Sequence, residues 1–219
     1  MKAAGDFELD AGDIDQRIAA ALAKLSLAGR HELRRAAEAK GLSAVQSLVL
    51  GRLAGRGPCS VGELADHLGV SAPTVSDSVA ALVRKRLARK KPVASDARRV
   101  LVEATALGAR RGREQSLWPD VFAAAVRAMS HEEKIVLLGL LLRLVTELVA
   151  AGVVREARMC PTCVHFRPAV HPSIDRPHHC ALVDLPLSAE HLRVDCPDHV
   201  ASAPEALRSR LRILQGGAR

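Results

Sequence analysis

Between Ser60 and Ala104 the chain sets two short helical stretches and two strand-like runs end to end, with only Gly69-Val70 between the helices. Few folds accept that order. Ser60-Val61-Gly62-Glu63 has the form of a capping box, in which the serine oxygen takes one orphan amide and the glutamate reaches back to another. The helix it opens is short and ends at Gly69; Ser71 caps the next, from Ala72 to about Arg86. Leu87–Val93 and Arg99–Ala104 then read as strands about a polar tip, Ala94–Arg98. In the second run Val100 and Val102 share one face and Leu101 takes the other.

The flanks are helical. Asp13–Lys40 carries Ile14, Ile18, Leu22 and Leu25 on one face, with Gly29 or Gly41 as its break. Ser43 caps a helix with Val45, Leu48, Val49 and Leu53 inside, stopped by Gly55-Arg56-Gly57-Pro58. Thr105 caps another, which Pro119 bends or restarts. Ser130-His131-Glu132-Glu133 is a second capping box and opens a helix to about Ala151. Three helices followed by a basic hairpin is the order of a winged helix-turn-helix. The predicted fold class is mainly α (α+β), with a helical dimerisation region and a small C-terminal metal-binding module. The expected divisions are 1–41 (dimerisation helix), 42–108 (winged helix), 109–154 (dimerisation helices) and 155–219 (cysteine-rich module and tail).

The charge distribution points to nucleic acid. The chain carries a formal +8, enough to favour an anionic partner without naming it. The second short helix brings Ser71, Thr74, Ser76, Asp77 and Ser78 to its N-terminal end, and short polar side chains suit close approach to a major-groove floor. Its C-terminal end and the hairpin supply Arg84, Lys85, Arg86, Arg89, Lys90 and Lys91 for phosphates, and Arg99 joins the DNA-binding set. Arg98, at the tip, is placed for a minor groove. After Ser130, Leu137, Leu141, Leu144 and Leu148 form one apolar row and Leu138, Leu142, Val145 and Val149 a second. So broad a stripe wants a partner, and a homodimer is the economical one. It would set two recognition helices roughly 34 Å apart, one turn of double-stranded DNA.

At these residues the chain resembles the MarR family of transcriptional regulators. The resemblance is carried by Leu42-Ser43, the Val61–Leu68 helix, Ser71-Ala72-Pro73-Thr74-Val75-Ser76, Asp96-Ala97-Arg98 and Thr105-Ala106-Leu107-Gly108, within roughly residues 13–151. It implies that Arg98 is the minor-groove arginine, that Asp96 orients the wing, that the first and last two helices build the dimer, and that regulation is by repression. Two positions depart from it. Arg86 stands where the family has a glycine, so the approach to the wing is expected to differ, and Asp77 stands where a basic residue is common.

Composition changes near Val154. Four of the five cysteines and six of the nine histidines lie between Cys160 and His199. Cys160, Cys163, Cys180 and Cys196 have the spacing C-x2-C-x16-C-x15-C. A segment this poor in large apolar residues does not readily fold on a core of its own, and a metal centre on four thiolates would hold it. Structural zinc usually takes two paired knuckles, whereas here there is one pair and two single cysteines. Iron–sulfur clusters accept such spacing, and Cys-Pro steps occur near them. The pattern is also loosely similar to small high-potential iron–sulfur proteins, with Phe166 close behind the pair. An iron–sulfur cluster, [4Fe-4S] first, is therefore the favoured cofactor and zinc the alternative; His165, His179 and His199 stay open as further ligands. A redox disulfide at Cys160–Cys163 lacks a strand–helix context, and Cys59 receives no role.

Three functions compete. One is a DNA-binding regulator whose cluster senses redox state, oxygen, nitric oxide or iron supply. Another keeps the DNA binding with structural zinc and a small ligand in the dimer cleft. The last makes the module an electron carrier or docking site on a helical scaffold. No nucleotide-binding glycine loop, carboxylate pair or nucleophile motif supports an enzyme. Residues 1–15 lack an apolar export segment, and Arg143 and Glu147 interrupt the most apolar stretch, short of the about 20 residues a span needs. A cytoplasmic protein with no membrane association is expected.

Overall fold

Side-chain caps at Asp13, Ser43, Thr105 and Ser130 mark where the helices that follow them begin. The structure, a computed structural model, describes residues 13–93, 96–114, 120–155, 157–173 and 175–216, with side chains excluded at 93, 96–99, 120 and 214–216. Asp13 caps α1 (Ile14–Glu38), its carboxylate accepting the Asp15 N–H. The helix passes Gly29 unbroken, so the chain turns near Gly41 instead. Helix α2 (Ala44–Arg56) has a complete capping box between Ser43 and Gln46 and stops at Gly57, whose φ of +77° suits glycine. Helix α3 (Val61–Leu68) is followed by Gly69 at φ +64°, and the Val70 N–H closes back on the Ala65 carbonyl. Then come α4 (Ala72–Arg84), β1 (Ala88–Val93), β2 (Asp96–Ala104), α5 (Ala106–Arg113), α6 (Asp120–Arg127) and α7 (His131–Ala150). Thr105 caps α5, and Ser130 with Glu133 forms the expected box on α7. The expected break at Pro119 lies outside the described residues.

The hairpin corrects one expectation. From Ala88↔Ala104 to Pro92↔Val100 the strands follow the register that a tip at Ala94–Arg98 would give. The register then shifts between Pro92 and Val93, and Val93 meets Asp96. Proline has no N–H to donate, which is where an antiparallel ladder breaks most easily. Strand β2 therefore begins three residues before Arg99.

Two compact units emerge, residues 1–61 with 73–123, and residues 62–72 with 124–219. In the first, Val49, Leu50 and Leu53 of α2, Val75, Val79 and Leu82 of α4, and Leu87 and Val102 are buried. Each such side chain contributes roughly 1.5–3 kcal/mol. Cys59 bridges Val102 through both main-chain hydrogen bonds, at 3.1 and 2.8 Å. Arg86, between α4 and β1, has φ +59°, the left-handed conformation that a glycine takes freely. The approach to the wing is thus the glycine-like one, at a conformational cost. Arg86→Gly removes a strain of about 1 kcal/mol and loses part of that gain to unfolded-state entropy. A small rise in stability, up to about 1 kcal/mol, is expected in denaturant titration; a loss would mean that the arginine side chain holds the wing.

In the second unit the cysteine segment has a core, shared with α7. Leu142 of α7 is buried with Met159, Cys163, Phe166 and Leu192, and Leu138 and Val145 pack against them. Around this core run a 3-10 turn (Cys160–Thr162) and a small antiparallel sheet in the order β3 (Phe166–Arg167), β4 (His178–Cys180), β5 (Leu185–Leu187). Helix α8 (Pro204–Gly216) buries Leu207 and Leu211. The broad stripe on α7 is therefore divided. The Leu138, Leu142, Val145 row is covered by the module, while Val136, Leu140, Leu141 and Leu144 stay exposed. Among the described residues no helix is long and apolar enough to cross a membrane.

Candidate nucleic-acid interface and cysteine centre

Helix α4 has one apolar face and one polar face because its sequence repeats apolar residues at helical spacing. Val75, Val79 and Leu82 point inward, and Ser71, Thr74, Ser76 and Asp77 are exposed. Ser78 departs from the expectation. It lies three residues after Val75 and next to Val79, so the helical period turns it inward, and it is 8% exposed. Little of its surface is left for a groove.

The cations divide as well. Arg84, Lys90 and Lys91 are exposed. Lys85 donates to the Gly41 carbonyl at 2.7 Å and to Gln46 Oε1 at 2.9 Å, which ties the α1–α2 corner to the end of α4. Arg89 pairs with Glu103 directly across the hairpin. Both were expected at phosphates, and both have internal partners here. Arg98 and Arg99 lie on the β2 backbone, but their side chains fall outside the described residues, as does that of Asp96. Thr105 fixes the base of the wing: its hydroxyl donates to the Arg86 carbonyl at 2.9 Å and accepts the Gly108 N–H at 3.1 Å.

The four C-terminal cysteines are free thiols in one small region, each set by a different element. Cys160 opens the 3-10 turn and Cys163 follows it, bridging Ala201. Cys180 ends β4 opposite Phe166. The Cys196 N–H donates to the Arg158 carbonyl at 2.8 Å. The thiols lie within one another's field. Burial pushes the Cys160 thiol up from its ordinary pKa, the Arg193 main-chain N–H pulls it down, and Cys196, Cys180 and Cys163 push it up again. Among the described residues no three His, Cys, Asp or Glu side chains stand close enough to hold a metal ion as they are.

Long-range arginines, which no local pattern announced, brace these loops. Arg158 Nη2 donates to the carbonyls of Cys196 and Pro197, each at 2.6 Å. Arg210 of α8 donates to the Cys163 carbonyl and to Ser202 Oγ, each at 2.6 Å. Of the histidines left open as ligands, His179 has both ring nitrogens engaged, Nδ1 with His171 and Nε2 with Asp184, each at 3.2 Å. His199 Nε2 meets Thr162 Oγ1 at 3.0 Å.

The sequence profile of the MarR family matches residues 40–99. S. aureus MepR, solved in complex with DNA, is similar at a TM-score of 0.52 and 22% identity, over 60% of this chain and 97% of that one. MarR of E. coli in its apo form gives 0.50 and 21%, over 57% and 95%. BpsR of Bordetella bronchiseptica, whose DNA binding is regulated by 6-hydroxynicotinic acid, gives 0.50 and 19%, over 58% and 98%. No curated protein sequence matches the chain. Over the part these structures cover, the chain has the winged-helix fold that they share.

Proposed function

We propose that the chain is a MarR-family regulator of transcription, a homodimer that binds specific double-stranded DNA, most simply as a repressor, and is not an enzyme. The observation that carries this reading is α4 itself. Its N-terminal half exposes Thr74, Ser76 and Asp77, and the wing that follows exposes Lys90 and Lys91. In such a protein the helix enters the major groove and reads base edges, while the cations neutralise phosphates and release counterions. Exposed apolar residues on α1 (Ile14, Ile18, Leu25) and on α7 (Leu140, Leu141, Leu144) suit a second copy.

The test is selection from a random duplex library followed by anisotropy titration in salt. The recovered site should be an inverted repeat with half-sites about 10 bp apart, one helical turn. Lys90→Ala and Lys91→Ala should each lower the salt slope by about one without changing the preferred sequence. Failure to bind any duplex at low salt would sink the reading.

Within this reading, Cys160, Cys163, Cys180 and Cys196 hold an iron–sulfur cluster, [4Fe-4S] first, that modulates DNA affinity. The donor set fits, with four thiols in one region and an N–H donor already on one sulfur. The thiols are not gathered into a closed set: among the described residues no three His, Cys, Asp or Glu side chains stand close enough to hold a metal ion. The cluster would supply redox or oxygen sensitivity, and α7, which shares the module's core, would pass the change to the dimer. Equal operator affinity with and without the cluster would remove the sensing role. One observation favours a second reading, in which structural zinc clips the module and a small ligand is sensed elsewhere: the segment already has a core on α7. Iron, sulfide and zinc analysis of protein purified without oxygen decides between them.

A further inference from the structure

Whichever metal the cysteines hold, the charge left over is the same. Four thiolates around Zn2+, or around a [4Fe-4S]2+ core, both leave a centre of net −2. Such a charge in a partly buried site is costly unless a cation sits beside it. We propose that Arg193 is the charge-compensating residue of this centre, a role that rests on the metal-centre reading above.

Arg193 touches two of the four thiols. Its main-chain N–H donates to Cys160 Sγ at 3.2 Å, and its carbonyl accepts the Cys160 N–H at 3.0 Å. Its guanidinium Nη1 reaches Cys196 Sγ at 3.9 Å. Two other arginines near the thiols work differently. Arg158 and Arg210 place their guanidinium groups on carbonyl oxygens and hold loops. Asp195, two residues on, faces Arg158 Nε at 3.7 Å. Of these three arginines, Arg193 alone aims its guanidinium at sulfur.

The two contacts can be separated. The main-chain pair with Cys160 survives any substitution at 193 except proline, so the loop keeps its anchor. A side-chain variant then reports on the guanidinium alone. Hydrogen bonds and positive charge at thiolate sulfur stabilise the bound metal and make a cluster easier to reduce.

The experiment uses the full chain purified without oxygen, as wild type, Arg193→Gln and Arg193→Lys, with circular dichroism to check folding. Metal retention is titrated against a chelator, and a coloured protein is also poised electrochemically. Arg193→Gln is expected to hold metal about 10–100-fold more weakly, the usual range for a partner of a metal ligand. If iron is present, its cluster should also reduce at a more negative potential. Arg193→Lys should recover most of both. Should the glutamine variant fail to fold, retention near wild type in the lysine variant supports the proposal and retention as weak as after loss of a ligand overturns it. A folded Arg193→Gln with wild-type retention and potential overturns the role of Arg193 and leaves the centre standing. A wild-type protein that retains neither iron nor zinc removes the centre and this role with it.

Discussion

Cys163→Ser is expected to empty the proposed metal centre and loosen the segment from Ala157 to Leu211, while the unit built on α2, α4 and the wing stays folded. Two effects combine at this residue. Serine oxygen is a poor substitute for a thiolate ligand, and a structural metal on four thiolates brings on the order of 10 kcal/mol to the folding of the segment it closes. Cys163 is also 7% exposed in the core with Leu142, Met159, Phe166 and Leu192. A hydroxyl buried there without a partner costs a further 1–3 kcal/mol or so. Metal analysis should fall from one centre per chain to almost none, and limited proteolysis should begin to cut within the segment. Cys59→Ser is the control. Cys59 is buried too, but it lies in the other unit and is held to Val102 by its main chain, so its loss should leave metal content unchanged. Full metal occupancy in Cys163→Ser would contradict the four-thiolate centre.

The parts of the fold set by neighbours in sequence were legible before the structure. Ser43 as a cap, Ser130 with Glu133, Thr105, and the stop at Gly57 are all decided within four residues. The main register of the hairpin was legible too, and it already set Arg89 opposite Glu103. Arg89 was read as a phosphate contact without asking what stood across from it. Ser78 is similar: the period of Val75, Val79 and Leu82 pointed it inward, where the structure has it, and its polarity was given more weight. Lys85 was different. Its partners, Gly41 and Gln46, lie 44 and 39 residues away, and no local pattern carries such a contact. The same holds for the cysteine centre. Spacing announced the four thiols, but Arg158, Arg193 and Arg210 reach them across long loops that only the fold brings together. Nor could the two apolar rows of α7 be ranked from sequence; the structure packs Leu138, Leu142 and Val145 of one against the module and leaves Leu141 and Leu144 of the other exposed.

Gly108→Ala is expected to disable the wing. A Cβ at this position would stand 1.8 Å from the Leu87 carbonyl oxygen and 2.8 Å from its carbonyl carbon. Both are backbone atoms, so no side chain can rotate out of the way, and either α5 or the start of β1 must move. The move would break a linked pair of hydrogen bonds, since the Gly108 N–H donates to Thr105 Oγ1 and the Thr105 hydroxyl donates to the Arg86 carbonyl. Leu87 is buried and leads directly into Arg89, Lys90 and Lys91, so a shift at the clash displaces the cations expected on the phosphates. The cost should reach or pass the upper end of ordinary overpacking, roughly 3 kcal/mol. For a chain of this size that corresponds to a fall in Tm of about 6–12 °C. DNA affinity should fall with it. Gly55→Ala makes the comparison fair. Gly55 lies inside α2 with nothing within 4 Å of its would-be Cβ, so the same change there should raise stability by up to about 1 kcal/mol through helix propensity. Thermal melts of the two variants separate a steric requirement from a general effect of adding a methyl group. If Gly108→Ala melted with wild type and bound DNA as tightly, α5 would not abut the wing as described, and the glycine of the Thr105-x-x-Gly108 motif would need another explanation.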